Sequence, residues 1–277
     1  ELDLIGKRVV IALGGNALGT NPKELTKKVE ATAHQIALMI KEGINVVVTH
    51  GNGPQVGVID EAFTIASKDD PDTIPFVPLQ DCNAMSQGYI GAQLTVALMN
   101  ELKNQNIMRS VTDVVTHVVV DANDPAFTDL EKPIGSFMTE AEAKKLSATE
   151  NVPVKEDAGR GWRRVVASPR PQHIVEIDAI RDLMDEGYVV VAGGGGGVPV
   201  TEQNDIYTEV EAVIDKDLVS SILAWKMKAD MLIILTAVEH VFINYNTPDQ
   251  RALSTMTSQE AREYIKQGQF APGSMLP

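Results

Sequence analysis

The residues best placed to do chemistry in this chain are glycines, one lysine and the carboxylates beside it. Glycine clusters stand at Gly14-Gly15-Asn16, Gly51-Asn52-Gly53 and Gly193–Gly197, and each closes an apolar, β-branched run. A fourth, "AGRGW" at 158–162, lies in a polar stretch. Glycine has no Cβ, so backbone N–H groups can come close to a ligand, and a helix starting behind the loop favours an anion. Ligands in open α/β sheets collect at the carboxyl ends of strands. Three such loops would line one cleft with donors suited to an oxygen-rich anion. Taken singly, each loop reads equally well as a tight strand-to-helix turn.

Asp215-Lys216-Asp217 opens a second pattern. Leu218, Ile222, Leu223 and Met227 behind it form an apolar helical face. The helix dipole favours acidic residues at that end and disfavours a lysine. Two readings stand side by side: a solvated cap, or a Lys216 that faces a phosphate while Asp217 holds it and the loop amides.

None of the glycine runs completes a standard nucleotide fingerprint. A Rossmann turn needs glycine at its first, third and sixth positions. Counted from Gly14, Gly51 and Gly193, the pattern fails at Asn16, Val56 and Val198. A P-loop needs lysine after its last glycine, and Thr20 follows Gly19. A nicotinamide oxidoreductase is therefore a weak reading. No Cys/His cluster has zinc-ligand spacing.

The elements that would position these residues are legible. Strand-like runs are Arg8–Leu13, Asn45–His50, Val111–Val120, Tyr188–Ala192, Met231–Thr236 and Val241–Ile243. Most are continuously apolar, as strands buried on both faces of a parallel sheet are. Helical patterns fill 24–41, 82–103 and 173–186, and Thr139 with Glu142 and Thr257 with Glu260 read as capping boxes. Strand–helix alternation predicts a three-layer α/β fold with a largely parallel sheet. Residues 121–170, rich in Pro, Gly and charge, break the rhythm and read as a protruding subdomain or lid.

Bulk properties exclude several classes. The 277 residues are 44% hydrophobic and 22% charged, enough for a sizeable core. Lys plus Arg number 24 and Asp plus Glu 38, a net charge of −14. Such a chain repels nucleic acid and anionic lipid, while a small anion held by local positive groups remains compatible. Cys82 is the sole cysteine, which fits a reducing cytoplasm. "ELDLIGKRVV" lacks the long apolar stretch of a secretion signal, and no apolar run reaches membrane-spanning length.

Taken together, "VVIALGGNAL", "THGNGPQVG", "AMSQGYIG", "VVVDANDPAF", "KPIG", "KEDAGRGWRRVVASPRP", "GGGGGVPV", "VEAVIDKDL" and "FAPGSMLP" resemble the carbamate kinases, a branch of the amino-acid kinase family. The resemblance runs the length of the chain. "EDAGRGWRRVV" and "AVIDKDL" carry its specificity, separating this branch from acetylglutamate, aspartate and uridylate kinases. It implies an open α/β/α sandwich, normally a homodimer, and reversible phosphoryl transfer in which ATP and carbamate give ADP and carbamoyl phosphate with Mg2+. In arginine fermentation the family runs toward ATP. An N-terminal lobe, 1–190 with its lid, is expected to hold carbamate, and a C-terminal lobe, 191–277, the nucleotide.

By the same resemblance, Gly14, Gly15 and Asn16 hold the transferred phosphate, and Gly51, Asn52 and Gly53 hold carbamate. Lys132 reaches the phosphoryl group from the lid, Lys216 bridges the phosphates, and Asp217 organises Lys216. Gly194, Gly195 and Gly196, with Met275, flank the nucleotide. Arg160, Trp162 and Arg163 either clamp the lid or anchor it. Carbamate is already an anion, so no general base is needed, only alignment and charge neutralisation. Another carboxylate kinase of this fold and a non-catalytic ligand-binding module are the alternatives. In the family "FAPGSMLP" runs into a lysine that opens a helix, so a longer biological chain, with one more helix and one or two strands beyond Pro277, is expected.

Overall fold

The apolar runs become strands whose alternate residues face different helices. In the computed structural model, described for residues 4–14, 18–19, 21–157, 159–236, 238–271 and 275–277, the chain divides into two compact units, up to Leu235 and from Thr236 onward. The first unit contains, in order, β1 (Arg8–Leu13), α1 (Pro22–Lys41), β2 (Asn45–His50), α2 (Gly53–Asp69), α3 (Leu79–Asn104), β3 (Val111–Asp113), β4 (His117–Val120), β5 (Lys132–Met138), α4 (Glu140–Glu150), β6 (Val154–Glu156) and β7 (Trp162–Val166). There follow β8 (Pro171–Ile174), α5 (Ile177–Asp185), β9 (Val189–Val191), β10 (Val198–Gln203), β11 (Ile206–Glu209), α6 (Lys216–Lys226) and β12 (Met231–Leu235). The second unit holds β13 (Val241–Ile243), β14 (Arg251–Leu253) and α7 (Ser258–Lys266).

The main sheet has the order β12-β1-β2-β9-β3, and every pairing in it is parallel. Val9, Ile11, Leu13, Val46, Val48, Val189 and Val191 pack against Leu25, Val29 and Ile36 of α1 and Ile90, Leu94 and Leu98 of α3. Val10, Val47, Val190 and Ala192 face the other way, onto Ile180 and Met184 of α5, Val219 and Leu223 of α6, and Met227 just after it. Successive strand side chains point to opposite faces, so a sheet sandwiched between helices needs apolar residues at every position. This is the expected three-layer α/β arrangement.

The run Val111–Val120 is not one strand. Val114–Thr116 interrupt it: β3 stays on the edge of the main sheet and β4 joins a second, mixed sheet, β11-β10-β4-β8. At the break the Thr116 hydroxyl donates to the Val114 carbonyl, 2.7 Å away, and accepts from the Gly193 N–H at 2.9 Å. Continuous hydrophobicity does not reveal such a turn. The pattern read as a helix over 173–186 likewise begins as β8, antiparallel to β4, and only residues from Ile177 are helical. The Glu176 carboxylate holds the chain here, accepting from the His117 amide at 2.8 Å and lying 2.6 Å from its Nδ1. Helix α2 is not among the helical patterns read from the sequence, although a strand-to-helix turn at Gly51–Gly53 would lead into it. Proline suits the first turn of a helix, and Gly57 serves close packing: a Cβ there would lie 3.2 Å from the backbone of Gly135.

Within the expected lid, β5, β7 and β6 form an antiparallel three-stranded sheet with α4 beside it. Both capping boxes are present, opening α4 and α7. The division into compact units at residue 235 follows packing; the expected lobes, meeting at residue 190, are a division by ligand, and their boundary falls inside the first unit. Among the described residues no helix is long and apolar enough to cross a membrane.

Candidate functional site

Strands β1, β2 and β9 are neighbours and parallel, so their carboxyl ends meet on one edge of the sheet. Gly14, Gly51-Asn52-Gly53 and Gly193–Gly197 are gathered there. The Gly14 amide donates to Leu235 O and the Gly51 amide to Leu13 O, each at 3.0 Å. Gly15 and Asn16 lie outside the described residues.

The Gly193–Gly197 run is buried throughout, and its glycines are demanded by the protein itself. A Cβ on Gly194 would sit 2.6 Å from His50 Nε2. One on Gly195 would collide with Asn52 Nδ2 and Asn83 Oδ1, one on Gly196 with the Ile214 carbonyl, and one on Gly197 with Val118. Gly195 also sits at φ +61, in the left-handed region where a Cβ is strained. Close packing against His50, Asn52, Asn83, Ile214 and Val118 is thus a sufficient reason for Gly194–Gly197, whatever the amides bind.

A bed of buried, uncharged polar side chains supports the loops. Asn52 Nδ2 donates to Asn83 Oδ1 at 2.6 Å and to Ser86 Oγ at 2.8 Å, and Asn83 Nδ2 donates to the Gly197 carbonyl at 2.7 Å. Gln87 grips the Thr116 backbone through both its amide nitrogen and its oxygen, at 3.1 and 3.0 Å. Thr49 and Ser220 hydroxyls meet at 2.7 Å and tie α6 to the end of β2. Satisfied networks of this kind rigidify what they support. Sequence reasoning missed Asn83, Ser86, Gln87 and Thr116. The signal was there: the buried face of α3, Leu79, Cys82, Ile90, Leu94 and Leu98, is interrupted by Asn83, Ser86 and Gln87. With its side chain engaged in this bed, Asn52 does not cap α2, and its carboxamide leaves the first-turn N–H groups without the usual side-chain cap. Such a helix end is an anion site by its dipole and its donors.

His50 is the one ionisable group in the bed. Its Nδ1 lies 2.9 Å from the Gly51 carbonyl, which only accepts, so Nδ1 carries the proton. Nε2 is buried with no hydrogen-bond partner among the described residues. Burial lowers its pKa to about 4, the Gly51 bond opposing this and the Lys216 charge adding to it. The ring is neutral at pH 7.

The predicted lysines come together at the start of α6. Asp215 caps this helix, its carboxylate accepting from the Asp217 amide at 2.8 Å. Its other oxygen lies 3.7 Å from Lys132 Nζ, brought in by the first residue of β5. Lys216 Nζ donates to Asp217 Oδ1 at 2.5 Å and is largely buried. Asp217 therefore touches the lysine it was expected to organise, while its contacts among the described residues do not extend to the glycine-loop amides. Two ammonium groups and two carboxylates beside the strand-end loops form a locally balanced cluster in an otherwise strongly acidic chain.

In "EDAGRGWRR" the residues on either side of position 158 are tied together. Asp157 accepts from Arg160 at 2.9 Å and from Arg163 at 3.2 Å, and both guanidinium groups lie over the Phe137 ring. Burial pushes the Asp157 carboxyl up, but those hydrogen bonds outweigh it and hold the group below the usual carboxylate range. Arg163 Nε donates to the Gly135 carbonyl at 3.0 Å, pinning β7 to β5.

Met275 belongs to the second unit. There it lines a cavity of about 500 Å³ whose walls mix Val238, Phe242, Tyr245 and Phe270 with the polar His240 and Gln269. Among the described residues no three His, Cys, Asp or Glu side chains gather as a metal site.

Known proteins of the same make-up are numerous. Residues 7–277 match the Amino acid kinase family. Carbamate kinase 3 of Staphylococcus aureus is 47% identical over 98% of this chain and 87% of its own length, and a carbamate kinase-like protein of Escherichia coli is 49% identical over 99% and 87%. Among solved structures, carbamate kinase from Giardia lamblia bound to AMP-PNP superposes with a TM-score of 0.88 at 44% identity, covering 98% of this chain and 87% of that one. The same enzyme thiocarbamoylated by disulfiram on a cysteine gives a TM-score of 0.84 at 42% identity over 98% and 87%. The chain belongs to the amino acid kinase family.

Proposed function

We propose that this protein is a carbamate kinase, transferring a phosphoryl group reversibly between ATP and carbamate to give ADP and carbamoyl phosphate. The observation that carries the reading is that Lys132 and Lys216 each pair with a carboxylate at the start of α6, in a chain nearly half identical to carbamate kinases along its length. Transfer between two anions needs alignment and charge neutralisation more than proton chemistry. Lys132 and Lys216 supply the charge, and Asp217 holds the Lys216 ammonium. Gly14, Gly15 and Asn16 hold the phosphoryl group in this reading, and Gly51, Asn52 and Gly53 hold carbamate at the uncapped start of α2. Gly194–Gly196 and Met275 flank the nucleotide, which makes 1–190 the carbamate lobe and 191–277 the nucleotide lobe. Mg2+ bound with the nucleotide would supply further positive charge to the phosphates.

The finer setting is ATP formation in arginine fermentation, in the cytoplasm, by a homodimer. Support for a second copy comes from Met85, Tyr89, Val96 and Met99, exposed apolar residues at alternating spacings of about one and two turns along α3. The test of the reaction is a coupled assay of ATP formed from carbamoyl phosphate and MgADP. Formation well above the uncatalysed background supports the reading. No formation, with another carboxylate phosphorylated by ATP or with ligand binding alone, overturns it.

A further inference from the structure

We infer that Arg164 is a positioning residue for phosphoryl transfer, tying the lid strand that carries Lys132 to both α2 and the segment that leads into α6. This rests on the carbamate kinase reading for its chemistry, and on geometry alone for the tie. Arg164 sits on β7, the central strand of the lid sheet, opposite Ile134 of β5 and Val154 of β6. Ile134 is two residues along β5 from Lys132. The guanidinium reaches out of the lid in two directions: Nη1 donates to Asp60 Oδ2 and Nη2 to Glu211 Oε1, each at 2.8 Å. Asp60 lies on α2, about two turns after Gly53 at its start. Glu211 stands four residues before Asp215, the cap of α6 and the partner of Lys132.

One side chain therefore joins three segments that bear the site: the Gly51–Gly53 loop through α2, the α6 start through Glu211, and Lys132 through its own sheet. Packing beneath it follows the same pattern. Val56 of α2, Ile134 of β5, Val166 of β7 and Val213 share a small buried cluster, and the Val213 amide donates to the Ala167 carbonyl at 3.0 Å. The Asp60 side chain is only 9% exposed. Without the guanidinium it would be a buried carboxylate facing the negative Glu211, and the elements carrying them would be driven apart. A lysine, with one compact ammonium, serves one carboxylate at a time; the planar guanidinium serves both.

The experiment compares wild type with Arg164→Met, Arg164→Lys, Lys132→Ala and the Arg164→Met/Lys132→Ala pair. Steady-state ATP formation is measured together with hydrogen exchange of residues 132–138. Displacement of a catalytic group by a distant change costs roughly 10- to 100-fold. The expected result is a kcat lowered by that factor in Arg164→Met, with KM values for carbamoyl phosphate and MgADP changed less than about threefold, and partial recovery in Arg164→Lys. In the Lys132→Ala background the same change should cost less than about twofold, because the group it positions is gone. Exchange over β5 should quicken at least about tenfold while β1 and β2 hold. An unchanged kcat, a loss confined to KM, or an equal loss in both backgrounds overturns the inference. If Arg164→Met does not fold, Arg164→Lys takes its place in the cycle. If wild type forms no ATP, the function reading fails separately, and the exchange data decide the tie: unchanged exchange over β5 overturns it.

Discussion

Acidification should destabilise this fold through His50, by an amount the site geometry sets. The imidazole is buried, Nδ1–H donates to Gly51 O, and among the described residues Nε2 has no acceptor for a second proton. Its pKa falls from 6.5 to about 4, and each unit is worth about 1.4 kcal/mol. The folded value lies below the unfolded one, so the unfolded chain binds more protons between the two. The contribution is therefore whole above about pH 6.5 and lost progressively as pH falls toward 4. The full difference is about 3 kcal/mol, of which about 2 kcal/mol disappears between pH 7 and pH 5. The assay is urea unfolding of wild type and His50→Asn over that range. Other titrating groups act on both proteins, so the difference between them isolates His50. Wild type should lose about 2 kcal/mol relative to the variant. The Cε1–H resonance that vanishes in the variant should not titrate above pH 5. A constant difference between the proteins, or a resonance titrating near 6.5, would refute the account of His50 as a buried, neutral ring.

Three further outcomes are expected. Lys216→Ala should lower turnover at least about 100-fold without loss of fold, since removing one preorganised charge contact typically does so; near-normal turnover would return Lys216 to the role of a helix cap. Gly195→Ala should lose about 2–4 kcal/mol of stability, because its Cβ meets Asn52 and Asn83 from a left-handed backbone; an unchanged melting temperature would contradict the packing described. Cys82 is buried, and burial above all, with the charges of Asp60 and Asp81, pushes its thiol up to about 11. Disulfiram, which thiocarbamoylates a cysteine of the Giardia enzyme, should accordingly leave the native protein unmodified, and a mass increase of the native chain would show otherwise.

The fold was legible where a single element announces itself locally. Runs such as Arg8–Leu13 and Asn45–His50 are apolar at every position because both faces are covered, and Thr139–Glu142 and Thr257–Glu260 close their capping boxes within a few residues. Composition and strand–helix rhythm were enough for a three-layer α/β reading, and the motifs were enough for the family. Lys132 and Lys216 stand 84 positions apart in the chain, and only the motif resemblance joined them before the fold did. What the chain could not reveal on its own depends on partners far away in sequence. Val111–Val120 breaks in two because the Thr116 hydroxyl finds the Gly193 amide, and 173–186 starts as a strand because Glu176 finds His117. Asn83, Ser86 and Gln87 look like a lapse in an apolar helix face until Asn52, Gly197 and Thr116 arrive to satisfy them. The glycines of 193–197 show the same division most sharply. Their number was plain in the sequence, but the reason for them was not: His50, Asn52, Asn83, Ile214 and Val118 fill the space where a Cβ would go, and steric exclusion between segments this distant exists only once the chain has folded.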